Sequence, residues 1–128
     1  SLVTKRVLLQ QRSRQVSHSG TWAFWGGKRE EHESPIETLK RELSEELGNL
    51  PFLGGKKIYP LHIFKSDNGF EYKTFIITIQ NEFTPQLNIE SSGYCWVNIN
   101  SWPKPLHNGA KLVFYDRSCI KKIKTILN

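Results

Sequence analysis

The chain has 128 residues, 38% hydrophobic and 12% aromatic, which suits one folded domain with its own core and excludes a disordered tail. Its formal net charge of +6 points to polyanionic ligands. No apolar run approaches the ~18 residues of a membrane span and no secretory signal pattern stands out, so a cytoplasmic location and no membrane partner are expected. Cys95 and Cys119 form neither a CxxC pair nor a metal-ligand spacing and read as free thiols. There is no Met, so the N-terminus is expected to be processed, trimmed or artificial.

Taken in chain order, Val7 to Gln11 reads as a strand that leads into the polar loop "RSRQVSHSG", and Thr21 to Trp25 as a short second strand before Gly26-Gly27. A helix is expected from about Pro35 to Leu47. The runs "KKIYPLHIFKS" and "FEYKTFIITIQ" read as strands flanking Asp67-Asn68-Gly69, and Asn-Gly is a strong hairpin signal. "GYCWVNI" reads as a further strand. Residues from about Gly109 to Leu127 read as helix in two pieces, with Asp116 capping the second and Ile120, Ile123 and Leu127 on one stripe. This order predicts a single domain over residues 1–128 of the α/β (α+β) class, a mixed sheet with helices packed on it.

Charge is unevenly spread. Residues 28–46 hold seven acids against four bases (Lys28, Arg29, Lys40, Arg41), whereas the rest holds fourteen bases against five acids. The helix inside this acidic segment is well marked: Ser34-Pro35-Ile36-Glu37 is a capping box with Pro at the first helical position, and Gly48 suits the residue after the last turn. With Glu42 at zero on a wheel of ~100° per residue, Glu45 falls near −60° and Glu46 near +40°. Ile36, Leu39, Leu43 and Leu47 fall between about +60° and +140°. An apolar stripe therefore docks on the sheet and three carboxylates form a separate face beside it. Glu42 and Glu46 are like-charged one turn apart, a mildly destabilising pair that a hard divalent cation would reverse. Gly26-Gly27 adds a turn where backbone can approach an anion or a metal closely.

Gly27, Glu33 and the run Arg41-Glu42-Leu43-Ser44-Glu45-Glu46-Leu47-Gly48 reproduce the spacing of the Nudix box, G-x5-E-x7-R-E-U-x-E-E-x-G-U, where U is a bulky apolar residue. The sequence resembles the Nudix hydrolase family over most of its length. Only the last box position departs, Asn49 being polar. Outside the box, Trp25 stands where Pro often precedes Gly-Gly, and His32 where Gly often precedes the first box Glu. The resemblance implies a Nudix-type α/β/α sandwich with the box helix on one side of the sheet and a C-terminal helix on the other. It also implies a MutT-like hydrolase, dependent on Mg²⁺ or Mn²⁺, of a nucleoside diphosphate linked to another group. Position by position, it makes Glu42 and Glu46 the main metal ligands, Glu45 a further ligand or the holder of a metal-bound water, and the Gly26 carbonyl an extra ligand. Glu33 and Arg41 would form the ion pair that orients the catalytic carboxylates. The general base would be either a box Glu or Glu90, in "LNIESSGY".

Arg12, at the end of the first strand, and Lys28 and Gly27, beside the box, are candidate phosphate contacts; a solvated cation is the alternative for Arg12 and Lys28. Phe70 and Tyr72 could face a base or pack in the core. His18, His62 and His107 show no ligand spacing. The resemblance favours a nucleoside triphosphate as substrate, with ADP-ribose or another nucleotide sugar next. An RNA 5′ end is less favoured, because no cluster of basic and aromatic residues is visible at a readable spacing. A non-catalytic nucleotide-binding module of the same fold is a third reading, disfavoured by a box that keeps all its carboxylates. The oligomeric state is open, a homodimer included.

Overall fold

The computed structural model of the chain describes residues 1–26, 32–47, 57–69 and 71–128, with the backbone alone at Glu46 and Leu47. Gly27, Lys28, Gly48, Asn49, Phe70 and the Glu46 side chain, all singled out above, lie outside the described residues. The chain runs β1 (Arg6–Arg12), β2 (Trp22–Ala23), α1 (Pro35–Leu47), β3 (Ile58–Lys65), β4 (Glu71–Ile77), β5 (Ser91–Asn98), α2 (Asn108–Phe114) and α3 (Arg117–Leu127). The class is α+β.

The named strands pair antiparallel in two sheets, ordered β2-β1-β5 and β3-β4. The mixed character expected of the sheet enters among the described residues as a single parallel bridge, Trp22 to Leu106. β1 pairs along its length with β5, Leu9 opposite Cys95, until the register shifts between Gln11 and Arg12. In the hairpin the register shifts between Pro60 and His62. Pro has no N–H to give a ladder, so a bulge is where a strand tolerates it.

Strand alternation sorts the side chains. Leu9 and Val97 belong to the main apolar cluster, joined by Leu61 of β3, Val113 and Phe114 of α2, and Cys119, Ile123 and Leu127 of α3. Leu8 and Trp96, their neighbours along the strands, point the other way and line an apolar cavity of ≈190 Å³, to which Leu39 and Leu43 of α1 and Phe114, Ile123 and Leu127 of the C-terminal helices also contribute.

The two C-terminal helices are separate because each has its own cap. His107 Nδ1 accepts from the Gly109 amide at 3.1 Å, and Asp116 Oδ1 accepts from the Ser118 and Cys119 amides at 2.8 and 3.3 Å. Tyr72 is half-buried and packs against Gly109. A Cβ built on Gly109 would meet its hydroxyl at 2.8 Å, so the hairpin rests directly on the start of α2.

Candidate functional site

The site begins with the start of α1. Ser34 and Glu37 cap it reciprocally: the Glu37 amide donates to Ser34 Oγ at 3.2 Å and the Ser34 amide to Glu37 Oε1 at 3.3 Å. Two orphan amides are satisfied, so the helix begins at a defined residue and its downstream side chains have a fixed rotation. Leu43 is buried and Ile36 and Leu39 are half-buried, which sets the apolar stripe against the sheet.

Four of the expected site residues converge. Arg41 Nε donates to Glu33 Oε2 at 2.8 Å and Nη2 to Glu33 Oε1 at 3.0 Å, a two-pronged pair of the strong, planar kind. Its third nitrogen, Nη1, donates to Glu42 Oε1 at 2.9 Å and reaches both oxygens of Glu45 at 3.4 Å. The Glu33 and Glu42 side chains are only 16% and 14% exposed, whereas Glu45 is 58% exposed. One guanidinium therefore gathers three carboxylates, two of them sheltered from water and one at the rim.

Among the described residues just before α1, one is strained. His32 has φ 74°, in the left-handed region that costs an L-residue about 1–2 kcal/mol and suits Gly. Gly26 is exposed. Trp25 beside it lines the apolar cavity, with its indole Nε1 buried and unpartnered among the described residues.

Of the other expected residues that are described, Arg12 and Glu90 lie elsewhere. Arg12 is tied to its own loop, its Nε donating to the Ser17 carbonyl at 2.7 Å. Glu90 is exposed and is the last residue before β5, because that strand starts at Ser91, earlier than its sequence predicts. The Glu90 carbonyl accepts from the Ser13 amide at 2.9 Å, which ties this turn to the end of β1.

The structure also assembles groups that spacing did not reveal. His62, Asp116 and Cys119 bring ligand atoms within 4.8 Å of one another, although His62 is distant in sequence from the other two. Asp116 Oδ1 is occupied by its capping bonds, and burial pushes the Cys119 thiol above its ordinary range, so this cluster holds a neutral thiol beside a helix cap. His18 and His107 meet edge to face at 5.4 Å. Burial, the Arg12 charge and His18 together lower the pKa of His107.

These features can be set against known proteins. The NUDIX domain family model matches residues 2–117. An 8-oxo-dGTP diphosphatase 3 of Mycobacterium tuberculosis, so named provisionally, is 49% identical over 45 residues, 35% of this chain and 21% of that protein. The CTP pyrophosphohydrolase of Escherichia coli K12 is 51% identical over 43 residues, 34% of this chain and 32% of that protein. The match thus spans between a fifth and a third of the curated relatives. Among solved structures, a Nudix hydrolase from M. smegmatis, RenU, superposes with a TM-score of 0.68 at 24% identity, covering 94% of this chain and 74% of that one. The enzyme class expected from the sequence, a hydrolase of phosphoric anhydride bonds, is the class that the curated relatives' names give. Together with the capped helix and its register of Glu33, Arg41, Glu42 and Glu45, a family match over nine-tenths of the length means that the chain belongs to the NUDIX domain family.

Proposed function

We propose that this protein hydrolyses a pyrophosphate bond in a nucleoside diphosphate derivative, with a nucleoside triphosphate as the first substrate class and a nucleotide sugar as the second. The observation that carries the reading is the convergence of Glu33, Glu42 and Glu45 on Arg41. Glu42 and Glu45 on one helix face, positioned by the Arg41 guanidinium that Glu33 holds, make an all-oxygen, anionic donor set, which fits Mg²⁺ or Mn²⁺ and is too hard for softer metals. Glu42, Glu45 and Glu46, with the Gly26 carbonyl, would hold the ion. When bound it supplies positive charge to the phosphate oxygens and a Lewis acid for the attacking water.

The chain's own residues do the rest. Glu33 fixes the Arg41 guanidinium from two directions, and Arg41 in turn restrains Glu42 and Glu45, so the donors are held in place before substrate arrives. The candidate general bases are Glu45, exposed at the rim, and Glu90, exposed ahead of β5. Gly27 and Lys28 are the proposed phosphate contacts beside the box; Arg12 is a weaker one, because its guanidinium is already engaged by Ser17. The names of the two curated relatives, each for a nucleoside triphosphate substrate, support placing that class first.

A hydrolysis screen over nucleoside triphosphates, nucleotide sugars and capped or triphosphorylated RNA, with Mg²⁺ and with Mn²⁺ and with products identified by mass, tests the reading. Turnover should be metal-dependent, and Glu46→Gln should lower it at least ~100-fold, because several kcal/mol of charge stabilisation are removed at about 1.4 kcal/mol per tenfold. Metal-independent turnover, or a Glu46→Gln variant close to wild type at saturating metal, would overturn it.

A further inference from the structure

The positive charge is concentrated in one part of the fold. Residues 101–128 hold six bases (Lys104, Lys111, Arg117, Lys121, Lys122, Lys124) and one acid (Asp116), a balance of +5 out of +6 for the whole chain. Four of the six bases stand on α3, which has no acid, and α3 lies beyond the family-model match except for its first residue. Arg117, Lys121 and Lys124 are all exposed, with Cys119, Ile123 and Leu127 buried on the other side. Spacings of four and three residues put the three cations within an arc of ~60°, about 6 and 4.5 Å apart along the axis. Among the described residues none of the three is engaged in an ion pair.

This stripe forms one wall of an open groove of ≈790 Å³. Aromatic residues line the same groove. Trp102 lies 5.0 Å from Phe114 and 6.0 Å from Tyr115, centroid to centroid, and Tyr115 is 61% exposed. Of the carboxylates gathered by Arg41, none lines the groove. An exposed tyrosine beside a row of cations that make no ion pair among the described residues has one common complement. Phosphates need the cations, and unstacked bases need the rings. A duplex keeps its bases stacked inside and would leave the aromatic residues unused.

We propose that this groove binds single-stranded nucleic acid, with the sugar-phosphate backbone along Arg117, Lys121 and Lys124 and a base stacked on Tyr115 against Trp102. The surface lies apart from the box helix and binds the strand whether or not that strand is also hydrolysed. Three phosphate contacts on a single strand give a salt slope of about −2 in log K against log salt, at roughly −0.7 per contact.

Fluorescence anisotropy with labelled oligouridine and oligodeoxythymidine of about twelve nucleotides, within the usual range of single-strand site sizes, tests this in EDTA so that no hydrolysis intervenes. The wild type should bind with a slope near −2. Lys121→Glu with Lys124→Glu should weaken binding at least tenfold and bring the slope to about −0.7. Lys122→Glu, the same charge change on an exposed α3 residue outside the groove, should have little effect. Tyr115→Ala should weaken oligonucleotide binding about tenfold while leaving inorganic polyphosphate, which has no bases, unaffected. The ratio of the two oligonucleotides says whether the 2′-hydroxyl is read. Thermal melts equal to wild type separate lost binding from lost folding, and mononucleotide turnover should be unchanged in all these variants. No binding at low salt, a Lys122→Glu effect as large as the double change, or tighter binding to phosphatidylserine vesicles than to either oligonucleotide would overturn the proposal.

Discussion

Arg41 and Glu33 face each other with two parallel hydrogen bonds of 2.8 and 3.0 Å, the guanidinium in line with the carboxylate, while the third nitrogen of the same guanidinium reaches Glu42. The pair is more than decoration of a helix surface, since its members come from opposite sides of the capped start of α1. A lysine at position 41 keeps the charge but offers one rotating ammonium where three donors now diverge. Arg41→Lys should therefore lower turnover at least tenfold with the metal requirement shifted to higher concentration, and should cost about 1.5–3 kcal/mol in stability as charged hydrogen bonds are lost. Steady-state rates against Mg²⁺, with chemical denaturation in parallel, check both; unchanged rates would mean that the guanidinium only braces the fold.

The two candidate bases are separable by experiment. Glu45 touches Arg41, and Glu90 stands on a different element, in the turn before β5. If Glu90 removes the proton, Glu90→Gln should cut turnover by about 10²- to 10⁴-fold with metal affinity almost unchanged. Glu45→Gln should disturb metal affinity and rate together. Metal titrations and saturating-metal rates on both variants decide the matter. A Glu90→Gln enzyme that keeps more than about a tenth of its rate, beside an inactive Glu45→Gln, assigns the base to the helix.

The strain at His32 gives a prediction of opposite sign to most substitutions. With φ 74° the position favours a residue without Cβ. His32→Gly removes a cost of about 1–2 kcal/mol but loosens the unfolded chain by up to ~1 kcal/mol, so the net should fall between neutral and about 1 kcal/mol stabilising. His32→Val, β-branched, should destabilise by more than ~1 kcal/mol. Urea denaturation of the two variants checks the ordering, and a His32→Gly protein clearly less stable than wild type would contradict it.

A pH effect follows from the cap of α2. His107 accepts the Gly109 amide at Nδ1, which requires the neutral ring. Burial first, then Arg12 and His18, lower its pKa below the ordinary 6.5. The unfolded chain thus binds a proton that the folded one refuses, so this stability is fully present above pH ~6.5 and is lost as pH falls through the lower folded value. His107→Asn keeps a capping acceptor and cannot titrate. Its unfolding free energy should be flatter between about pH 5 and 7 than that of the wild type, measured by denaturant titration. Equal slopes would place the titrating group elsewhere.

The sequence was most informative where the physics is local. The Ser34–Glu37 capping box placed the start of α1 at Pro35, and Asp116 marked the start of α3, because a cap and its amides lie within three residues of each other. β2 is shorter than its sequence predicts, and its parallel bridge to Leu106, made through the Pro105 carbonyl and the His107 amide over eighty residues away, is a pairing that local patterning does not show. The same limit hid the basic and aromatic groove: Trp102 and Tyr115 meet α3 cations only after the chain has turned between α2 and α3. The His107 cap on α2 was missed because its acceptor is a ring nitrogen, rather than the hydroxyl or carboxylate that a capping pattern looks for.

No described residue of α1 belongs to the main apolar cluster, and the buried Leu43 lines the ≈190 Å³ cavity instead. The helix that carries the carboxylates is therefore expected to open more readily than α2 and α3. Its amides should exchange with solvent through partial opening, at a lower free energy than the global unfolding that exposes Val113 and Ile123. A cation or nucleotide bound there, as proposed, would act on folding as well as on chemistry. Binding to that helix would slow its exchange selectively, so isotope labelling in the presence and absence of Mg²⁺ would display the site as the part of the molecule whose protection depends on its ligand.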